Sequence, residues 1–231
     1  MLTPAEWEAI LLSMKIGISA VVWILPPGIA IAWLLARHEF RGKALLDGLV
    51  HLPLVLPPVV VGYLLLVTMG RQGWLGRWLH DLFGIGLPFT WQGAAVASGV
   101  MAFPLLVRAI RLSLEAVDPK LEAAASTLGA GRWRIFVTIT LPLAIPGLLT
   151  GTLLAFARAL SEFGATITFA SNIPGETRNL PLALYTLIQS PGREAAAARL
   201  CLLAIIIAML SLLASEWLAR HARHRLRERD A

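Results

Sequence analysis

Asp118-Pro119-Lys120-Leu121-Glu122-Ala123-Ala124-Ala125-Ser126-Thr127-Leu128-Gly129-Ala130-Gly131-Arg132-Trp133-Arg134, running on to Ile139-Thr140-Leu141-Pro142, sets small and polar residues between two strongly apolar regions. It reads as a helix with both ends specified. Asp118 is placed to act as N-cap, and Pro119 suits the first helical position, where its missing N–H would be unpaired anyway. Acidic Glu122 falls in the first turn, and Gly129 is placed to end the helix. The product is a short alanine-rich helix. Its small side chains let a partner's groove approach the backbone closely. The same pattern also suits an amphipathic helix resting on a membrane surface, and patterning leaves both open.

The apolar regions on either side decide the solvent. Hydrophobic residues make up 57% of the 231, and the mean hydropathy is +0.72, values that a water-soluble chain of ordinary composition does not reach. A hydrocarbon core of about 30 Å takes roughly 20 apolar residues per helical crossing, so this length holds about five or six crossings and no large soluble domain. The expected class is therefore all-α and integral to the membrane, a single domain over residues 1–231 with its core at about 9–219 and a basic tail at 220–231.

Five spans can be drawn, at about Ala9 to Ala36, Leu49 to Met69, Gly93 to Ile110, Ile145 to Ala170 and Ala197 to Trp217. In the first, Lys15 can snorkel to the near interface, and Pro26-Pro27-Gly28 should kink the helix, which lipid tolerates only inside a bundle. The second opens on Pro53, Pro57 and Pro58 and should not be straight. Between spans two and three, Trp74-Leu75-Gly76-Arg77-Trp78-Leu79 suits either an interfacial segment or a plain loop. A long amphipathic stretch, Leu114 to Leu141, precedes span four, and a polar segment, Ser171 to Glu194, encloses the apolar run Leu180 to Ile188. Pro104 and the other span prolines serve equally well as hinges or as fixed kinks.

The formal charge is +6 and the pI about 10.4. The basic residues lie between apolar runs and do not form one face with interleaved aromatics, so nucleic acid is not the expected partner. Arg37, Arg41, Lys43, Arg108, Arg111, Lys120, Arg132, Arg134 and the arginines of the tail fall on one side of five crossings; Arg71, Arg77, Arg178, Arg193 and Arg199 fall on the other. The positive-inside rule makes the first group cytoplasmic, with the N-terminus outside and the C-terminus inside. Glu6, Glu8 and the lack of a basic n-region argue against a cleaved signal peptide. Cys201, the sole cysteine, lies in an apolar run, which excludes an intrachain disulfide and a thiolate metal cluster.

Arg158 and Glu162 interrupt the fourth apolar run four residues apart, on one helical face. Either charge alone at mid-bilayer would cost a few kcal/mol, so the pair should face protein or water. With Ser161, Thr166 and Thr168 this face either lines or gates a pathway, or it is a structural salt bridge; the pattern supports both. No Gly-x-x-x-x-Gly-Lys-Ser/Thr loop, no His-Glu-x-x-His and no Gly-x-Ser-x-Gly occurs, so the reading is of a non-catalytic chain with no cofactor or metal, whose energy comes from elsewhere.

Ala124-Ala125, Gly129, Ile139 and Leu141-Pro142 carry a resemblance to the EAA loop of ABC importer permeases. The Gly follows the two alanines after three residues, and the Ile-x-Leu-Pro follows the Gly after nine more; by strict spacing the acidic position falls on Ala123, and Glu122 lies one residue earlier. His51-Leu52-Pro53-Leu54-Val55-Leu56-Pro57-Pro58-Val59-Val60-Val61-Gly62-Tyr63 and Glu162-Phe163-Gly164-Ala165-Thr166-Ile167-Thr168-Phe169, continuing through Asn172-Ile173-Pro174-Gly175-Glu176-Thr177, resemble the molybdate importer permeases over nearly the whole chain, and the sulfate permeases share a looser version. The resemblance implies the type I importer permease fold, with five transmembrane helices and a cytoplasmic coupling helix, in a bacterial inner membrane. It also implies a second copy of the chain, two cytoplasmic ATPase subunits and a periplasmic molybdate-binding protein. Glu122, Ala123, Ala124, Ala125, Leu128, Gly129 and Arg132 would then meet the ATPase. The alternatives are a sulfate or tungstate permease of the same kind and, from another class, an ion-coupled secondary transporter using Arg158 and Glu162 as a proton relay.

Overall fold

The computed structural model describes residues 3–227, and the end of the basic tail, with Arg229, lies outside the described residues. Every element is helical: α1 Pro4–Arg37, α2 Lys43–Val55, α3 Pro58–Met69, α4 Trp74–Phe83, α5 Trp91–Glu115, α6 Pro119–Thr127, α7 Arg132–Ile135, a π-helical turn Phe136–Thr140, α8 Leu141–Leu160, α9 Gly164–Phe169, α10 Leu180–Ile188 and α11 Glu194–Arg227. Among the described residues, four uninterrupted runs are long and apolar enough to cross a membrane, namely Pro4–Arg37, Trp91–Glu115, Arg132–Leu160 and Glu194–Ala214. A fifth crossing exists if α2 and α3, bent by 116° at their junction, are counted as one.

The bend has a local cause. A proline pushes the residue before it out of the helical region, and here Leu56 and Pro57 each precede a proline. Both are extended, with φ/ψ of −72°/142° and −55°/134°. The pair Pro26 and Pro27 behaves differently: α1 runs through them without a break. Its packing supports the passage, since a Cβ on Gly28 would stand 2.9 Å from Leu106 of α5.

Helix α5 is the core of the bundle. Ala94, Ala95, Ala97, Ala102, Leu106, Val107, Ile110 and Leu114 are buried along it, and it packs against α1 and α8. Lipid tails are as apolar as leucine, so helices in a bilayer associate through close backbone approach and small residues. That is the pattern seen here. Gly99 lies against Ile24 of α1, and Gly151 lies against Ala109 of α5. Many large apolar side chains face outward, including Leu202, Ile205, Met209 and Leu213 of α11 and Leu11, Ile18 and Val22 of α1. Lys15 lays its ammonium over the ring of Trp91, 3.6 Å from the centroid. The segment at Trp74 is a helix and not a plain loop, with Trp74, Trp78, Leu82 and Phe83 exposed.

The fourth span needs correction. Expected at Ile145 to Ala170, it begins at Arg132 and stops at Leu160. The stretch Leu114 to Leu141 is therefore the end of α5, all of α6 and the start of this crossing. After Leu160 the chain leaves the helix at Ser161 to Phe163 and restarts as α9. Arg158 and Glu162 accordingly sit at a helix break and not in the middle of a continuous span. The run Leu180 to Ile188 is α10, and α11 carries the fifth span on as helix to Arg227.

Helices α3 and α9 pack together through two glycines. A Cβ on Gly62 would lie 2.7 Å from the Ala165 carbonyl and 2.8 Å from Thr168 Cβ, and one on Gly164 would lie 2.7 Å from Pro58. Replacing Gly62 by Val should force these half-helices apart and lower stability by about 1–3 kcal/mol, the usual cost of overpacking. The check is thermal unfolding in detergent, where a wild-type midpoint for the variant would contradict the close approach.

Candidate functional site

Helix α6 has the ends its sequence specifies. Asp118 Oδ1 accepts from the Lys120 N–H at 2.9 Å, and Pro119 occupies the first turn. Gly129 is left-handed, with φ +84°. The N–H of Gly129 donates to the Ser126 carbonyl and that of Ala130 to the Ala125 carbonyl, the paired bonds of a Schellman cap. No α6 residue is buried. Ala123, Ala124, Gly129 and Arg132 are exposed, and Leu128 is 89% and Trp133 76% exposed. Five of the seven residues predicted for a partner surface thus face outward. Ala125 and Glu122 are half-buried.

Glu122 turns toward its own chain. Its Oε1 accepts from Arg37 Nη2 at 2.8 Å and from the Thr140 hydroxyl at 2.6 Å. Arg37 is the last residue of α1, and Thr140 is the last residue of the π-helical turn. The three border a cavity of about 350 Å³ that Trp33, His38, Arg132 and Phe136 help to line. Trp33 packs edge-on against His38 and Phe136, with centroids 4.7 Å and 5.6 Å away. Sequence reasoning missed Arg37 and Thr140 as partners of Glu122, because they lie 85 and 18 residues from it.

The second cluster surrounds the break after α8. Arg158 Nη1 and Glu162 Oε2 are 2.7 Å apart, with Glu162 1% and Arg158 25% exposed. Glu162 Oε1 accepts from the Ala165 N–H at 2.8 Å and so caps the start of α9. Its backbone carbonyl accepts from Asn179 Nδ2 at 3.2 Å, while Asn179 Oδ1 accepts from the Leu182 N–H at 3.1 Å and caps α10. Ser13 extends the network to α1, accepting from the Leu180 N–H at 2.6 Å and donating to the Ala9 carbonyl at 2.8 Å. Breaking a buried ion pair by removing one partner typically costs about 3–5 kcal/mol, so a carboxylate this buried depends on both its salt bridge and its backbone donor.

The other predicted pathway residues divide by position. Ser161 is exposed, its hydroxyl donating to the Arg158 carbonyl at 3.0 Å. Thr166 is fully buried and donates to the Phe163 carbonyl at 2.9 Å. Thr168 is half-buried beside Gly62 and donates to the Gly164 carbonyl at 2.8 Å. Among the described residues no three His, Cys, Asp or Glu converge as metal ligands.

Comparison with known proteins fixes the family. Residues 28–228 match the binding-protein-dependent transport system inner membrane component. The molybdenum transport system permease protein ModB of Escherichia coli strain K12 is 66% identical over 224 residues, covering 97% of this chain and 98% of that protein. Its namesake in Haemophilus influenzae is 59% identical over 221 residues, 96% of each. The crystal structure of a bacterial ABC transporter involved in the import of the acidic polysaccharide alginate superposes with a TM-score of 0.75 at 16% identity, over 95% of this chain and 80% of that one. At that identity the likeness is one of fold, and it is the importer permease architecture that the resemblance implied. The chain belongs to the family of binding-protein-dependent transport system inner membrane components.

Proposed function

We propose that this chain is the permease of an ATP-driven molybdate importer. The observation that carries the reading is 66% identity, sustained over 97% of the chain, to a molybdenum transport permease. Two copies form the pathway between them, because five crossings with one sharply bent are few to enclose a water-filled route alone. Two cytoplasmic ATPase subunits supply the work, and a periplasmic molybdate-binding protein delivers the oxyanion. The N-terminus is periplasmic and the C-terminus cytoplasmic, as the distribution of Arg and Lys favours.

Helix α6 is the coupling helix. Ala123, Ala124, Leu128, Gly129 and Arg132 offer the ATPase an exposed knob with little side-chain bulk around one leucine. At the α8–α9 break, Arg158 and Ser161 border the pathway, while Glu162 and Thr166 hold its wall from behind. The quarter exposure of Arg158 against the full burial of Thr166 supports this division.

The functional test is uptake of labelled molybdate, tungstate and sulfate by vesicles holding the purified complex with its binding protein. Molybdate should accumulate only with ATP and be indifferent to an uncoupler. Uptake that collapses with the uncoupler while ATP is maintained would instead mark an ion-coupled transporter.

Replacing Gly129 by Val should remove the left-handed cap at a cost of about 1–2 kcal/mol and splay the end of α6. Molybdate moved per ATP should fall about tenfold with membrane insertion intact. Normal coupling in that variant, measured as uptake against phosphate release, would count against docking through α6.

In an assembled complex, Arg158→Gln should slow uptake by removing the cation beside the path. Unchanged uptake would leave the pair a purely structural salt bridge.

A further inference from the structure

Glu122 is the acidic residue of the loop expected to meet the ATPase, yet the structure turns it away from the exposed face. One of its oxygens holds Arg37 at the cytoplasmic end of α1, and the same oxygen holds Thr140 where the π-helical turn gives way to α8. Three elements far apart in the chain meet at that atom. Hydrogen bonds between ionised partners are the stronger kind, and this pair is shielded, with Arg37 17% and Glu122 25% exposed. Apart from its short connections to α5 and α7, helix α6 has no buried side chain to fix it to the bundle.

From this geometry we infer that Glu122 is a positioning residue of the transport cycle, the tether that passes displacement of α6 to α1 and to the crossing that begins at Arg132. The inference rests on the importer reading above. It separates two tasks within one short helix: exposed Ala123, Ala124 and Leu128 receive the partner, and inward Glu122 relays what it does. The tether also has a second position available to it. Arg37 Nε is buried without a hydrogen-bond partner beside the 350 Å³ cavity. A carboxylate that holds a guanidinium through one oxygen takes a second N–H by a small rotation, so movement of α6 toward α1 would convert the single bond into a two-pronged one. The relay thus tightens when α6 is pressed toward α1.

The experiment uses the complete complex, permease with its ATPase subunits and binding protein, in vesicles. It compares wild type, E122A, E122Q and the charge exchange R37E/E122R. In E122A the ATPase subunits should bind as they do to wild type, while molybdate moved per ATP falls by about tenfold, within the range of known coupling effects. The charge exchange should recover most of that loss. E122Q, which keeps a bond to Thr140 but loses the ion pair, should fall between, and it is read by the same criteria if E122A does not assemble. Three results would overturn the tether: wild-type coupling in the Glu122 variants, a transport loss that tracks weaker ATPase binding, or an exchange variant no better than E122A. A wild-type complex that moves no oxyanion with ATP would defeat the importer reading itself, and is distinguishable because it precedes any variant.

Discussion

In a hydrocarbon interior no water is at hand to satisfy an opened backbone, so any non-helical segment at membrane depth must find its hydrogen bonds within the protein. The break at Ser161 to Phe163 finds its partners around one residue. The Glu162 carboxylate supplies an acceptor to the start of α9, its carbonyl takes the Asn179 amide, and Arg158 balances the charge. Asn179 and Ser13 extend the same arrangement to α10 and α1. Pairing across a network of this kind lets a charge that would be costly in lipid serve as a structural element.

The second requirement is close backbone approach. Alanine along α5 and glycine on its neighbours bring α1 and α8 to within van der Waals contact of it. The outer faces keep their bulky apolar side chains. The distribution differs from that of a soluble bundle in its outer face, which a soluble bundle coats with polar residues. It leaves α6, which buries no side chain, as an exception to both patterns.

Legibility in the sequence followed the range of the determining interaction. Both ends of α6 were readable because caps act within four residues, through Asp118, Pro119 and Gly129. The bend before α3 was readable for the same reason, since each proline constrains its immediate predecessor. The limits of the fourth crossing were not. Apolar residues continue past Glu162 to Ala170, and Asn179, which holds the Glu162 carbonyl at the interruption, is seventeen residues away along the chain. Its early start was hidden too, because Arg132 and Arg134 look like loop residues until they are seen to open the helix. The partners of Glu122 left no trace in local pattern at all: Arg37 registered only as a topogenic charge. For the same residue the resemblance implies contact with an ATPase, and its carboxylate also holds Arg37 and Thr140 of its own chain.

The turn at Phe136–Thr140 is π-helical. Such a turn accommodates one more residue than an α-helix would over the same rise, and each residue added to an α-helix rotates all that precedes it by about 100°. Arg132, Trp133 and Arg134 are therefore presented on a different azimuth from the one a regular helix through Leu141 would assign them. A deletion of one residue within 136–140 would shorten the chain trivially and yet swing α6 and its flanks to a new compass bearing.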